Sequence, residues 1–161
     1  PDLFDGRTFG SIDEAMAYIR GSGMDDLVAR GEATATDLPG ELVYGGFSFG
    51  EMIEQKLAQT RPGAKGALLF HSAIPPEEFG GPWPDGVPAQ IHIMEQDEFA
   101  LEGDLEVARA LAASVEGVEL FLYPGDQHYF ADSSLPSYDA DATALLTRRV
   151  LQFLARAGLT R

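Results

Sequence analysis

The chain has 161 residues, which fits one domain with a buried core, and its composition of 45% hydrophobic and 23% charged residues is that of an ordinary globular protein. Its 26 acidic and 11 basic residues give a net charge of -15. This argues against a nucleic-acid partner or an anionic membrane surface, since both are bound through Lys and Arg. The chain contains no cysteine, which excludes disulfides, thiolate metal sites and a cysteine nucleophile.

The first residues of the chain do not resemble a natural N-terminus. The first residue is Pro1, and residues 1–7 are typical of the exit from a strand, so we expect an N-terminal piece to be missing. No apolar run approaches the length of a membrane span, and no signal peptide is visible. A cytoplasmic location is therefore the expectation.

Two helices are predicted in the first 40 residues. Ser11 and Glu14 have the spacing of a capping box, which predicts a helix from residue 12 to about residue 20. Gly21 and Gly23 would end it, and residues 25–35 form a second helical pattern.

Strands and helices then alternate along the rest of the chain. Four short apolar runs have the length of strands, and they cover residues 41–44, 67–70, 90–94 and 118–123. Helical patterns cover residues 50–58, 101–114 and 138–157, the last with Leu145, Leu146, Val150, Leu151, Phe153 and Leu154 facing the core. This alternation predicts one α/β domain over residues 1–161, with a mainly parallel sheet between helices. Its strand ends, and the loops that follow them, should meet at one edge.

Residues 46–50 read Gly-Phe-Ser-Phe-Gly, directly after the first apolar run and before a helical segment. This context is typical of a sharp turn that presents a nucleophilic serine, here Ser48. We expect that side chains at positions 46 and 50 would collide with the turn, which accounts for the glycines found there. The backbone N–H of Phe49, at the start of the helix, is the expected donor to a developing oxyanion. The alternative is an ordinary glycine-rich turn.

A serine nucleophile needs a base, and the chain offers three histidines. His71 ends one predicted strand and His92 lies inside another, so both are predicted to be packing positions. His128 lies in the loop after the last predicted strand, and parallel topology returns that loop to the same edge as Ser48. His128 is therefore the best candidate for the base.

The base in turn needs a carboxylate that orients its ring. Asp97 directly follows the third predicted strand and so lies at the same edge of the sheet. Glu95, Glu98 and Asp126 are the competing candidates. We prefer Asp97, because a Ser, Asp, His order at three successive strand ends is a stronger signal than any one motif.

Three aromatic residues are candidates for contact with a substrate, namely Phe47, Trp83 and Phe130. Trp83 lies in the loop of residues 74–87, which is rich in proline and glycine. The alternative for this loop is a rigid surface segment with its aromatic side chains tucked in.

These segments together resemble the dienelactone hydrolase family of α/β hydrolases. The similarity rests on residues 2–6, 46–50, 95–99 and 123–130, which read Asp-Leu-Phe-Asp-Gly, Gly-Phe-Ser-Phe-Gly, Glu-Gln-Asp-Glu-Phe and Tyr-Pro-Gly-Asp-Gln-His-Tyr-Phe. It implies a three-layer α/β-hydrolase fold, here without an upstream strand and helix that supply a second oxyanion donor. It also implies a catalytic triad of Ser48, Asp97 and His128, with Phe49 N–H in the oxyanion hole.

The resemblance also sets the expected chemistry, which is hydrolysis of a small-molecule ester or lactone through an acyl-serine, with no metal and no organic cofactor. Dienelactone hydrolases proper carry a cysteine where this chain has Ser48, so a carboxylic ester is as good a candidate as a dienelactone. The alternative is a non-catalytic member that binds a ligand or partner. Glu51 is larger than the small residue usual there, and we expect it to point outward. The chain is expected to be a monomer or homodimer.

Overall fold

The computed structural model describes residues 2–158. The chain divides into two compact units, Pro1–Pro39 and Gly40–Arg161, which are described in turn. Among residues 2–158, no helix combines the length and the apolar character that crossing a membrane requires.

The first unit contains the two predicted helices, α1 (Ile12–Ser22) and α2 (Met24–Ala35). The Ser11 side chain accepts a hydrogen bond from Glu14 N at 3.2 Å, as a capping box requires. The Glu14 carboxylate, however, accepts from Gly10 N at 2.9 Å and so satisfies the N–H one residue before the cap. The capping prediction is confirmed at Ser11 and displaced by one residue at Glu14.

The second unit is built on a sheet whose four described strands are parallel and lie in chain order. Its regular elements are β1 (Val43–Phe47), α3 (Phe49–Thr60), β2 (Gly66–Phe70), β3 (Ala89–Met94), α4 (Asp104–Ser114), β4 (Val118–Tyr123) and α5 (Ala140–Arg156). The first strand begins two residues later than predicted and continues through Gly45 and Gly46 to Phe47, three residues beyond the predicted end at residue 44. The predicted α/β architecture is confirmed.

Helices cover both faces of the sheet, giving three layers. On one face, strand residues pack with Phe130 and with Leu146 and Phe153 of α5 in one cluster, and those strand residues are Leu68, Phe70, Met94 and Tyr123. Side chains of alternate parity, such as Leu69 and Ile91, are fully buried on the opposite face. Right-handed crossovers in one direction place α3 and α4 on that opposite face.

The last helix faces the core as predicted, with one exception. Leu146 and Phe153 are buried and Leu145 is partly buried, but Leu151 is 55% exposed, so its predicted core position is wrong. The apolar stripe of α5 is narrower than the sequence suggested, because a helix on one face of a sheet buries only one side.

Candidate active site

Ser48 occupies the turn between β1 and α3, in a backbone conformation rare for a side-chain-bearing residue. Its φ is 50° and its ψ is -118°, and its backbone N–H donates to the carbonyl of Phe70 at 2.9 Å. This hydrogen bond ties the turn to the end of β2. A left-handed φ at a residue other than glycine is strained, and such strain is concentrated at functional sites.

The two glycines flanking this turn are not equivalent. A Cβ on Gly46 would lie 2.4 Å from the carbonyl oxygen of Gly50 and 2.7 Å from the N of Glu51, so only glycine fits there. A Cβ on Gly50 would meet no described atom within 4 Å. The prediction that both glycines avoid a collision is therefore confirmed for Gly46 and wrong for Gly50. Gly46 faces the first turn of α3, whereas Gly50 faces open space.

The structure brings Ser48, His128 and Asp97 into one hydrogen-bonded line. His128 Nε2 lies 2.8 Å from Ser48 Oγ, and His128 Nδ1 lies 2.6 Å from Asp97 Oδ2. Asp97 is fully buried and its other oxygen, Oδ1, accepts from Phe99 N at 3.1 Å. A carboxylate acceptor at Nδ1 places the ring proton there, which leaves Nε2 free to accept the Ser48 hydroxyl proton.

The sheet places the acid and the base side by side. Asp97 follows β3 by three residues and His128 follows β4 by five, so both leave neighbouring strands at the same edge. Two hydrogen bonds tie their loops together, from Glu95 N to Tyr123 O at 2.9 Å and from Gln96 N to Gly125 O at 3.0 Å. The competing carboxylates Glu95, Glu98 and Asp126 are all exposed.

Phe49 is the first residue of α3, directly after Ser48. The first N–H groups of a helix lack an acceptor within that helix, and the helix dipole gives them a partial positive charge. The N–H of Phe49, the residue after Ser48, therefore stays the candidate donor to an oxyanion.

The three predicted aromatic contacts fall in different places. Phe47 is 47% exposed and stacks on Phe70 at a ring distance of 4.4 Å. Trp83 is buried, and its Nε1–H donates to Val87 O at 2.7 Å, which is the tucked-in arrangement left open as the alternative. Phe130 is fully buried in the cluster under α5. Only Phe47 therefore combines exposed surface with a position next to Ser48.

Two further aromatic residues, which were not predicted as contacts from the sequence, lie beside the base. Phe99 is 43% exposed, and its ring centroid lies 4.6 Å from that of His128. The Tyr129 ring lies 4.8 Å from that of His128, edge to face. Both residues adjoin a predicted site residue in the sequence, at Asp97 plus two and at His128 plus one. Proximity in the chain was the available signal.

Glu51 is buried, which overturns the expectation that it points outward. Neither of its carboxylate oxygens has a hydrogen-bond partner within residues 2–158. Burial raises the pKa of Glu51 to about 8, with the nearby Ser72 hydroxyl lowering that pKa and the Asp104 carboxylate raising it. Ser72 Oγ–H itself donates to Asp104 Oδ2 at 2.7 Å. Glu51 occupies the first turn of α3, and there it faces into the protein.

Asp104, at the start of α4, is the second carboxyl group of this buried neighbourhood. Burial raises its pKa, against the hydrogen bond from the Ser72 hydroxyl. Among residues 2–158, no group of three or more His, Asp or Glu side chains is arranged to hold a metal ion.

Comparison with solved structures finds relatives of the same architecture. The chain matches a protein assigned as a dienelactone hydrolase from Klebsiella pneumoniae subsp. pneumoniae MGH 78578 with a TM-score of 0.54 and 21% identity, over 82% of this chain and 59% of that one. It matches a dienelactone hydrolase-like promiscuous phosphotriesterase from metagenomic libraries with a TM-score of 0.68 and 20% identity, over 94% of this chain and 71% of that one. At these identities the likeness shows a shared α/β-hydrolase fold.

A search of curated proteins by sequence finds no significant match. The sequence profile of the dienelactone hydrolase family matches residues 10–158, which is most of the chain. The protein therefore belongs to the dienelactone hydrolase family.

Proposed function

We propose that the protein is a serine hydrolase of small carboxylic esters or lactones, with Ser48 as nucleophile, His128 as general base and Asp97 as the residue that orients the base. One observation carries this proposal, the continuous hydrogen-bonded line from Ser48 Oγ through both ring nitrogens of His128 to Asp97. A nucleophile, a base and an orienting carboxylate at these distances form the arrangement that activates a serine hydroxyl.

In the acylation step, Ser48 Oγ attacks the carbonyl carbon of the substrate while its proton passes to His128 Nε2. The carbonyl oxygen becomes an oxyanion, which accepts a hydrogen bond from Phe49 N–H. The bond from the carbonyl carbon to the leaving oxygen then breaks, and His128 Nε2 returns the proton to that oxygen. An acyl-Ser48 ester and a free alcohol result.

In the deacylation step, His128 removes a proton from water, whose oxygen attacks the acyl carbon. The bond to Ser48 Oγ breaks and Ser48 regains its proton from His128, which releases a carboxylic acid. With a lactone, the alcohol of the first step stays attached to the acyl group, so the product is a hydroxy acid. Asp97 stabilises the imidazolium in both steps, and its burial strengthens that interaction.

The experiment is covalent labelling of the whole chain with a fluorophosphonate probe, followed by mass spectrometry to locate the modified residue. We expect labelling at Ser48, no labelling of a Ser48→Ala variant, and undiminished labelling of Ser114→Ala, which changes an exposed serine on α4. A folded wild-type protein that resists the probe and hydrolyses no aryl ester would refute the proposal. That result would favour a ligand-binding member of the family without catalysis.

A further inference from the structure

His71 directly follows β2, at the edge of the sheet that carries Ser48. Its ring centroid is 5.5 Å from that of His128 and 5.6 Å from that of Phe47. Its backbone N–H donates to the carbonyl of His92 at 2.9 Å. The side chain therefore belongs to the same group as the proposed base, although the mechanism above gives it no role.

The His71 imidazole is fully buried, and neither of its nitrogens has a hydrogen-bond partner in the described part of the chain. An unpartnered buried polar group costs folding free energy, because it has given up its hydrogen bonds to water. The φ of 71° at His71 adds strain. His92, also buried, contrasts with it: its nitrogens lie 2.8 Å from the Tyr123 hydroxyl and 3.3 Å from Gln90 Oε1. Within residues 2–158, His71 therefore has an unused donor and acceptor, whereas His92 does not.

Burial lowers the pKa of His71 to about 3, with smaller contributions from His128 and His92. At neutral pH the ring is therefore uncharged and carries one N–H donor and one acceptor nitrogen. Its remaining ring contacts are aromatic, with Phe130 at 5.0 Å and Tyr129 at 5.7 Å, both edge to face. These contacts fix the plane of the imidazole without satisfying its nitrogens.

The His71 imidazole lies beside the ring of the proposed base but has no exposed surface in the free protein. Phe47 and Tyr129 both contact His71, and both have exposed surface. A displacement of either ring would uncover part of the His71 imidazole. Rotation of partly exposed side chains on binding is common.

We propose that His71 is a specificity-determining residue whose N–H donates a hydrogen bond to an oxygen on the acyl chain of the substrate. The inference rests on the proposed function and narrows its substrate class to esters or lactones with an oxygen-bearing acyl group, such as 2-alkoxy and 2-hydroxy acyl groups. A buried polar group that only the right substrate can partner discriminates against substrates that lack the matching atom. An oxygen of such an acyl group would also give the buried His71 N–H the hydrogen-bond acceptor that it lacks within residues 2–158.

The first test compares phenyl methoxyacetate with phenyl butanoate, which differ by an oxygen in place of a methylene. We expect His71→Phe to lower the ratio of the two kcat/KM values, methoxyacetate over butanoate, about tenfold relative to wild type, as for the loss of one hydrogen bond. Its Tm should stay unchanged or rise, because the variant replaces the imidazole with another aromatic ring and removes the unpartnered nitrogens. The matched control is His92→Phe, which should lower the Tm and leave the ratio unchanged.

The second test needs no change at His71. In the Ser48→Ala variant, phenyl methoxyacetate should shift the imidazole ¹⁵N resonances of His71, and phenyl butanoate should not. The proposal is overturned by an unshifted His71, or by a His71→Phe variant with a lower Tm and equal losses on both esters. If Ser48→Ala hydrolyses both esters as fast as wild type, the proposed function fails instead, and the resonance shift still decides the role of His71.

Discussion

The two ends of the sheet differ in what they hold. At the amino ends of the strands lies a cleft of about 630 Å³, lined by residues that include Pro88, Gly117 and Phe153. At the carboxyl ends lie Ser48, His71 and the buried acid and base, within a group of packed side chains. The cleft is spacious, yet the side chains that could do chemistry converge at the other end. Volume alone therefore does not locate the site in this fold.

The two ends of the sheet also differ in whether their polar groups are exposed and paired. The charged groups around the cleft are exposed and paired, as with Lys65 and Glu41 at 2.8 Å and Arg156 and Glu119 at 2.7 Å. At the carboxyl end, Ser48 and His71 both have a left-handed φ. The carboxyl end thus concentrates backbone strain and desolvated groups, which is the signature of a functional site.

The largest effect should come from removing the orienting carboxylate. We expect Asp97→Asn to lower kcat for an aryl ester about 10⁴-fold, because an amide favours the wrong tautomer of His128. The amino-end counterpart, Glu119→Gln, should leave kcat unchanged. Steady-state kinetics on both variants checks this, and comparable losses in the two would abolish the contrast between the ends of the sheet.

The next effect separates the two glycines of the turn. Gly46→Ala should destabilise the protein by about 2–4 kcal/mol, because its Cβ meets backbone atoms that cannot move away. Gly50→Ala should be neutral or stabilise by about 0.5–1 kcal/mol, because this position is helical and open. Urea unfolding of both variants measures the difference, and an equally destabilised Gly50→Ala would contradict the assigned geometry.

A smaller effect should appear in the pH dependence of stability. The folded pKa of Glu51 is about 8, above its ordinary 4.5, so the folded protein holds this proton more tightly than the unfolded chain. Wild type should lose stability between about pH 4.5 and pH 8, where the unfolded chain has released the proton. Glu51→Gln cannot lose a proton there, so its Tm relative to wild type should rise from pH 5 to pH 9, by about 2–4 °C for each kcal/mol of stability that wild type loses.

The exposed Glu106 on α4 supplies the control for that titration. Glu106→Gln removes a carboxylate of the same kind from a site in contact with solvent. Its Tm relative to wild type should hardly change with pH. Parallel pH profiles for Glu51→Gln and wild type would place the Glu51 carboxylate in water, contrary to its burial.

The sequence predicted the sheet and the site for a common reason. Parallel strands with helical crossovers put every strand end on one edge, so Ser48, Asp97 and His128 could be assigned together from their positions after strands. The errors concern where single elements begin and end and which way single side chains point. The first strand was predicted to end at residue 44, with residues 46–50 as the turn, whereas in the structure residues 45–47 still pair with β2.

The sequence predicted His71 to be a packing position, which its burial confirms, but it did not predict the neighbours of His71, and it misplaced Glu51. The surroundings of His71 come from segments far away in the chain, Phe47 on one side and Tyr129 on the other. Glu51 was expected to point outward because an inward-facing carboxylate would oppose a nearby oxyanion. Its burial follows from how closely α3 packs on the sheet after a sharp turn, which the local pattern does not encode.

The smallest effect is expected at the amino end of the sheet. Arg156→Ala removes an exposed ion pair with Glu119, and such pairs contribute about 0–1 kcal/mol. We expect kcat/KM for aryl esters within twofold of wild type, and a loss of stability below about 1 kcal/mol by urea unfolding. Arg156 also lines the 630 Å³ cleft, so this variant asks whether that cleft binds the substrate. A loss of kcat/KM with unchanged stability would mean that the cleft binds the substrate. The ion pair lies at the opposite end of the sheet from Ser48, so its removal should not act on the Ser48 hydroxyl directly.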